Sequence, residues 1–197
     1  MLTLLTVLSA KRHHRYTYAD YVGLEVTSPT KHEFLDGEIF AMAGGSEEHS
    51  ALAAEVLGAF RDAVRHGPCR VHTSDLRIYV ESSGLATFPD GAVICDALHQ
   101  HGPSPKATAL NPTVLLEVTS DSSEEYDTGE KLEHYRTIPS LFDYVVVSHR
   151  ERRITVHSRS VSGEWITRVA ISGGRVAISG LKTELSVDEI YGKSSIL

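Results

Sequence analysis

Asp90, Glu117, Asp127 and Lys131 are residue types that can do metal-assisted chemistry; the first two fall at the ends of expected strands and the other two on the helix that follows. Asp90 stands between Pro89 and Gly91, at the head of the apolar run Ala92–Cys95. Glu117 closes the run Thr113-Val114-Leu115-Leu116. A carboxylate in such a run needs a partner or a cation, because an isolated buried charge is very costly. Asp127 and Lys131 are four apart on one expected helix and so share a face. Oxygen donors without His or Cys favour a hard cation, Mg²⁺ or Mn²⁺. Such an ion polarises a phosphoryl oxygen, and a Lys beside it stabilises developing charge or orients the nucleophile. Asp90, Glu117 and the carbonyl of Val118 as metal ligands, with Lys131, make a kit for phosphodiester hydrolysis. Each piece also has a plainer reading. Asp90 suits a turn, and Asp127–Lys131 suits a surface ion pair. Glu117 is the hardest to dismiss.

The elements that must position these residues follow from the pattern. Thr17 reads as the N-cap of a first helix, which Ser28-Pro29 breaks. Asp36-Gly37 signals a hairpin whose return strand covers Ile39 to Ala43. Glu33 and Glu38 flank that turn, and Glu33 is the one favoured for the site. Ser46 caps a helix running to about His66, with Leu52, Val56 and Phe60 repeating every four residues on its apolar face. Short strands are expected over Arg70–Thr73, Leu76–Val80 and Ala92–Cys95, then a buried strand ending near Val118. One helix is expected over 123–137, a buried strand over Phe142–Val147, and a late antiparallel meander over Arg153–His157 and Trp165–Ile171. Ser186 and Glu189 fit a capping box for a short last helix. The expected organisation is a tail over residues 1–15 and one domain over 16–197.

Composition narrows the function classes. The chain has 197 residues, 41% hydrophobic and 23% charged, enough for one packed core. The formal net charge of −7, with no long Lys/Arg block, argues against a protein that coats nucleic acid indiscriminately. Cys69 and Cys95 form no C-x-x-C pair, so a zinc ribbon is unsupported. A disulfide between them is chemically open, but a reducing cytosol disfavours it, and the expectation is two small buried side chains. The apolar N-terminus precedes its basic residues, the reverse of a signal peptide, and is too short to span a bilayer; a cytoplasmic protein with no membrane partner is expected. No nucleophile elbow and no phosphate-binding glycine loop is present.

A set of ordered stretches carries a resemblance. These are His32-Glu33-Phe34-Leu35-Asp36-Gly37-Glu38, Met42-Ala43-Gly44-Gly45 with Glu48-His49, Ser74-Asp75-Leu76-Arg77, Pro89-Asp90, Glu117-Val118-Thr119-Ser120, and Asp127 with Gly129-Glu130-Lys131 and Tyr135. Together they resemble the PD-(D/E)XK nuclease superfamily, and within it the Uma-type restriction endonuclease family, over about Tyr16 to Tyr191. The resemblance implies an α/β (mixed α+β) restriction-endonuclease-like core, a mixed central sheet flanked by helices. It makes Asp90 the first acid and Glu117 the second, and it matches Glu33 to an acid from the first part of the fold. The superfamily's usual Lys would fall on Thr119; as in the family, a Lys stands on the next helix instead, here Lys131. Asp121 departs from the family's Pro and could perturb Glu117 or reach the metal through water. His49, Asp127 and Tyr135 are expected behind the ligands, Tyr135 chiefly as packing. The implied activity is metal-dependent endonucleolytic hydrolysis of DNA, with a homodimer matching duplex symmetry. The rival expectation is a non-catalytic nucleic-acid- or protein-binding module that retains the fold, motivated by the acidic charge and by Thr119.

Overall fold

The computed structural model describes residues 15–102 and 107–196. The expected tail therefore lies, but for its last residue, outside the described residues. Elements occur in the order α1 (Tyr18–Thr27), β1 (His32–Leu35), β2 (Glu38–Ala41), α2 (Glu47–Val64), β3 (Arg70–Thr73), β4 (Arg77–Val80), β5 (Leu85–Thr87), β6 (Gly91–Ile94), β7 (Thr108–Ala109) and β8 (Val114–Val118). They continue with α3 (Glu124–Thr128), α4 (Glu130–Arg136), β9 (Asp143–Val147), β10 (Arg153–Arg159), β11 (Trp165–Ile171), β12 (Arg175–Ile178), β13 (Thr183–Ser186) and α5 (Val187–Ile190).

A six-stranded sheet in the order β11-β10-β9-β8-β6-β3 forms the centre. It is mixed: β8 and β9 run parallel, and the other neighbours run antiparallel. The late meander is thus one wing of the central sheet. Alternation along β8 assigns its two faces. Val114, Leu116 and Val118 join Leu52, Val56 and Phe60 of α2 in one core. Leu115 turns the other way, toward Leu132 and Tyr135 of α4 and Tyr144 of β9. Glu117 shares the face of Leu115 and so points toward α4.

A second, five-stranded sheet, β2-β1-β5-β4-β7, was not foreseen as separate from the first. Its hairpin turns through Asp36 at φ 48° and Gly37 at φ 82°, the positive values that Asp-Gly accommodates. That turn pairs Leu35 with Glu38 and Glu33 with Phe40. Thr17 caps α1 with a full capping box to Asp20.

Three expectations need correction. The helix over 123–137 is two helices, broken at Gly129 with φ −112° and ψ −101°. A Cβ there would stand 2.8 Å from the Glu125 carbonyl oxygen, so only glycine fits the break. Cys69 and Cys95 are half-buried and joined in a disulfide. The reason is register: β3 and β6 pair Arg70 with Ile94, which sets the two cysteines opposite each other one step on. Finally β5, β7, β12 and β13 had no sequence expectation. Among the described residues no helix is long and apolar enough to cross a membrane.

Candidate active site

The site is built where β6 and β8 meet. Their ladder pairs Gly91 with Leu116, so Asp90 falls one step on, beside Glu117. The Val118 N–H donates to Asp90 Oδ2 at 2.8 Å. In an extended residue the N–H and C=O point the same way, so the Val118 carbonyl also faces Asp90. His49, from the first turn of α2, brings Nε2 to 3.1 Å from the same Oδ2. The hydrogen bond to Asp90 raises the His49 pKa, against the opposing effect of burial.

Glu117 is 5% exposed. Its Oε1 accepts from Lys131 Nζ at 2.8 Å and from the Tyr135 hydroxyl at 3.1 Å. Lys131 Nζ also lies 3.3 Å from Asp127 Oδ1 and 3.7 Å from Glu33 Oε2. Lys131, Asp127 and Glu33 are all buried, so the Asp127–Lys131 pair is no surface ion pair. Three buried carboxylates therefore share one ammonium. Burial pushes Glu117 up to about 8; Lys131 opposes this, while Asp127 and Asp90 add to it. Burial also raises Asp127. Burial alone would lower Lys131, but Glu117, Asp127 and Glu33 outweigh it and hold the amine charged.

Two phenols near the acids carried no sequence signal. The Tyr126 hydroxyl donates to Glu33, and the Tyr144 hydroxyl donates to the Asp127 carbonyl at 2.9 Å. An exposed-looking tyrosine in an acidic stretch and another in an apolar strand give no hint of such partners. Tyr135 is fully buried, as packing requires, yet its hydroxyl also holds Glu117.

Asp121 is a correction. It is exposed and bound to His149 Nε2 at 3.1 Å and Arg150 Nη2 at 2.7 Å. Its contacts are with those two side chains and not with Glu117. Thr119, where the superfamily's Lys would stand, is 2% exposed and bonds His149 Nδ1 through Oγ1 at 2.7 Å.

The donor chemistry fits a hard divalent cation. Asp90, Glu117 and the Val118 carbonyl are oxygen donors, and Mg²⁺ is commonly held by one or two carboxylates with water completing its shell. The excess of buried carboxylate over ammonium is the charge such an ion would offset. Among the described residues no group of three acidic, imidazole or thiol side chains converges as a metal cluster, so the fit rests on two carboxylates and a carbonyl.

Acids at adjacent strand ends of a mixed sheet flanked by helices define a restriction-endonuclease-like fold of the nuclease class. A crystal structure described as a "putative nuclease belonging to DUF820" from Anabaena variabilis has this fold, with a TM-score of 0.68 at 17% identity, over 87% of this chain and 97% of the other. Residues 18–188 match the family Uma2, described as "Putative restriction endonuclease", and the chain belongs to that family. A Synechocystis protein described as "Uncharacterized protein slr1290" is 32% identical over 174 residues, 87% of this chain and 89% of its own length. A second from the same organism, "Uncharacterized protein sll1609", is 28% identical over 150 residues, 76% of this chain and 84% of its own length.

Proposed function

We propose that this protein is a metal-dependent endonuclease that hydrolyses DNA phosphodiester bonds. The observation that carries the reading is the buried cluster itself. Lys131 Nζ stands 2.8 Å from Glu117, and Asp90 lies beside that carboxylate on the neighbouring strand. The cluster keeps more buried carboxylates than ammonium groups, an arrangement that costs stability unless a cation or a negatively charged ligand's counter-ion joins it. Asp90, Glu117 and the Val118 carbonyl would hold Mg²⁺ or Mn²⁺. When bound there, the ion supplies Lewis-acid polarisation of a phosphoryl group.

The chain's own residues have distinct tasks. Lys131 acts as a charged donor: held as an ammonium, it orients the attacking water and stabilises negative charge growing on the phosphoryl oxygens. It cannot take the water's proton in that state. Glu33 fixes Lys131 from the opposite side and is itself held by the Tyr126 hydroxyl. Tyr135 donates to Glu117 and limits its rotation. On the same reading 16–197 acts as one domain. The working form is a homodimer that sets two sites against two strands, a role for which the sheet edge β11, exposing Ile166, Val169 and Ile171, is available.

Glu117→Ala abolishes Mg²⁺-dependent cleavage of plasmid DNA while circular dichroism shows the fold intact. Asp90→Asn removes Mn²⁺ binding measured by calorimetry. Unchanged cleavage in Glu117→Ala would sink the assignment. Absence of site-specific Mn²⁺ binding in the wild type would leave the non-catalytic module as the better account.

A further inference from the structure

We propose that His49 is a positioning residue for the metal site, clamping Asp90 through Oδ2 so that Oδ1 is presented to the ion. The inference rests on the metal-site reading above and goes further by assigning α2 a task in it. A carboxylate rotates readily about its last torsion, which has broad minima. Here a backbone N–H and an imidazole nitrogen meet on one oxygen. The Val118 N–H approaches Asp90 Oδ2 from β8 at 2.8 Å, and His49 Nε2 approaches it from α2 at 3.1 Å. Contacts from two different elements fix the plane of the carboxylate. Among the described residues no hydrogen bond falls on Oδ1, and the Asp90 side chain is 19% exposed, so that oxygen is left for a ligand.

The clamp is itself seated. The His49 N–H donates to the Ser46 hydroxyl at 3.1 Å, which fixes the first turn of α2. The imidazole lies against Gly45. A Cβ on Gly45 would stand 2.4 Å from His49 Nδ1 and 2.8 Å from Cγ. Gly45 does not have a left-handed φ, so what it supplies is space for the ring. Its neighbour Gly44 has nothing within 4 Å of its would-be Cβ, which marks the crowding as specific to the ring. Carboxylates that bind metals are held by outer hydrogen bonds, and losing such a partner costs about 10- to 100-fold in metal affinity or activity.

The test is calorimetry with MnCl₂ on the full chain. His49→Leu is expected to weaken Mn²⁺ binding by about 10- to 100-fold. His49→Gln, whose amide nitrogen can reach the place of Nε2, is expected to recover most of that loss. Gly45→Ala is expected to weaken binding in the wild-type background and to add nothing to His49→Leu. Melting temperatures without metal report any general packing defect, which would leave the Mn²⁺ affinity of folded protein unchanged. Equal affinity in wild type and His49→Leu overturns the clamp and leaves the metal site standing. Additive losses for Gly45→Ala and His49→Leu overturn the route through the ring. If His49→Leu does not fold, unchanged affinity in folded Gly45→Ala overturns the clamp by itself. No Mn²⁺ binding by the wild type overturns the metal site and the clamp together.

Discussion

Glu117 is under tension between burial and its neighbours, and that tension can be measured. Its carboxyl is pushed from 4.5 up to about 8, chiefly by burial. Above the unfolded value, then, the folded chain retains a proton that the unfolded chain has released. The linked stability is fully present below about pH 4.5 and is lost as pH rises through about 8. Chemical denaturation in EDTA should show the wild type losing stability relative to Glu117→Gln across that window, by at most about 1.4 kcal/mol per pH unit. A flat difference between the two proteins would contradict it. Lys131 answers to the same balance. Lys131→Met strips the ammonium from Glu117, Asp127 and Glu33 and should cost about 3–5 kcal/mol near pH 9, where Glu117 has lost its proton. The cost should shrink toward pH 5, where Glu117 holds its proton and needs no cation, and urea titrations at both pH values would show it. At this scale the burial of Glu117 was legible, because an acid after an apolar run demands an explanation. Asp121 was less legible, because sequence proximity to Glu117 says nothing about His149 and Arg150, which arrive from the loop after β9.

Elements set how the cluster closes. The expected single helix over 123–137 breaks at Gly129, between Asp127 and Lys131, and the two side chains still meet at 3.3 Å. The periodicity that predicts the shared face is blind to the break, since a glycine inside a helical pattern is often tolerated. Gly129→Ala would drive a Cβ against the Glu125 carbonyl oxygen. It should cost about 1–3 kcal/mol, the usual range for overpacking. Because α4 carries Lys131, it should also weaken Mn²⁺ binding, which calorimetry on the folded variant would reveal. The Asp36-Gly37 hairpin was readable from two residues, since its turn needs the positive φ values those types allow. The short strands β5 and β7 were not. Three and two residues carry too little alternation, and they exist because neighbouring strands offer partners.

At the scale of the whole molecule, two large sheets, the β12–β13 ribbon and one disulfide hold the parts together. The apolar run before Glu117 was readable as one strand buried on both faces, whereas the mixed central sheet came from the family resemblance. The separateness of the second sheet was invisible, because pairing partners are not written in any one strand. The same blindness hid the cysteine pair, which only the β3–β6 register brings together. That disulfide spans 26 positions. In the chain-entropy account a loop of that length stabilises the fold by about 3 kcal/mol. Dithiothreitol, or the Cys69→Ser/Cys95→Ser double variant, should lower the melting temperature accordingly, and equal melting with and without reductant would refute it.

Glu33 comes from β1 near the start of the chain, while Glu117, Asp127 and Lys131 come from β8 through α4. A ribosome delivers the first long before the others. Until α4 has emerged, Glu33 has no Lys131 ammonium to answer it, and the buried cluster does not exist. On the nuclease reading proposed above, cleavage could begin only once Glu33 has met Lys131.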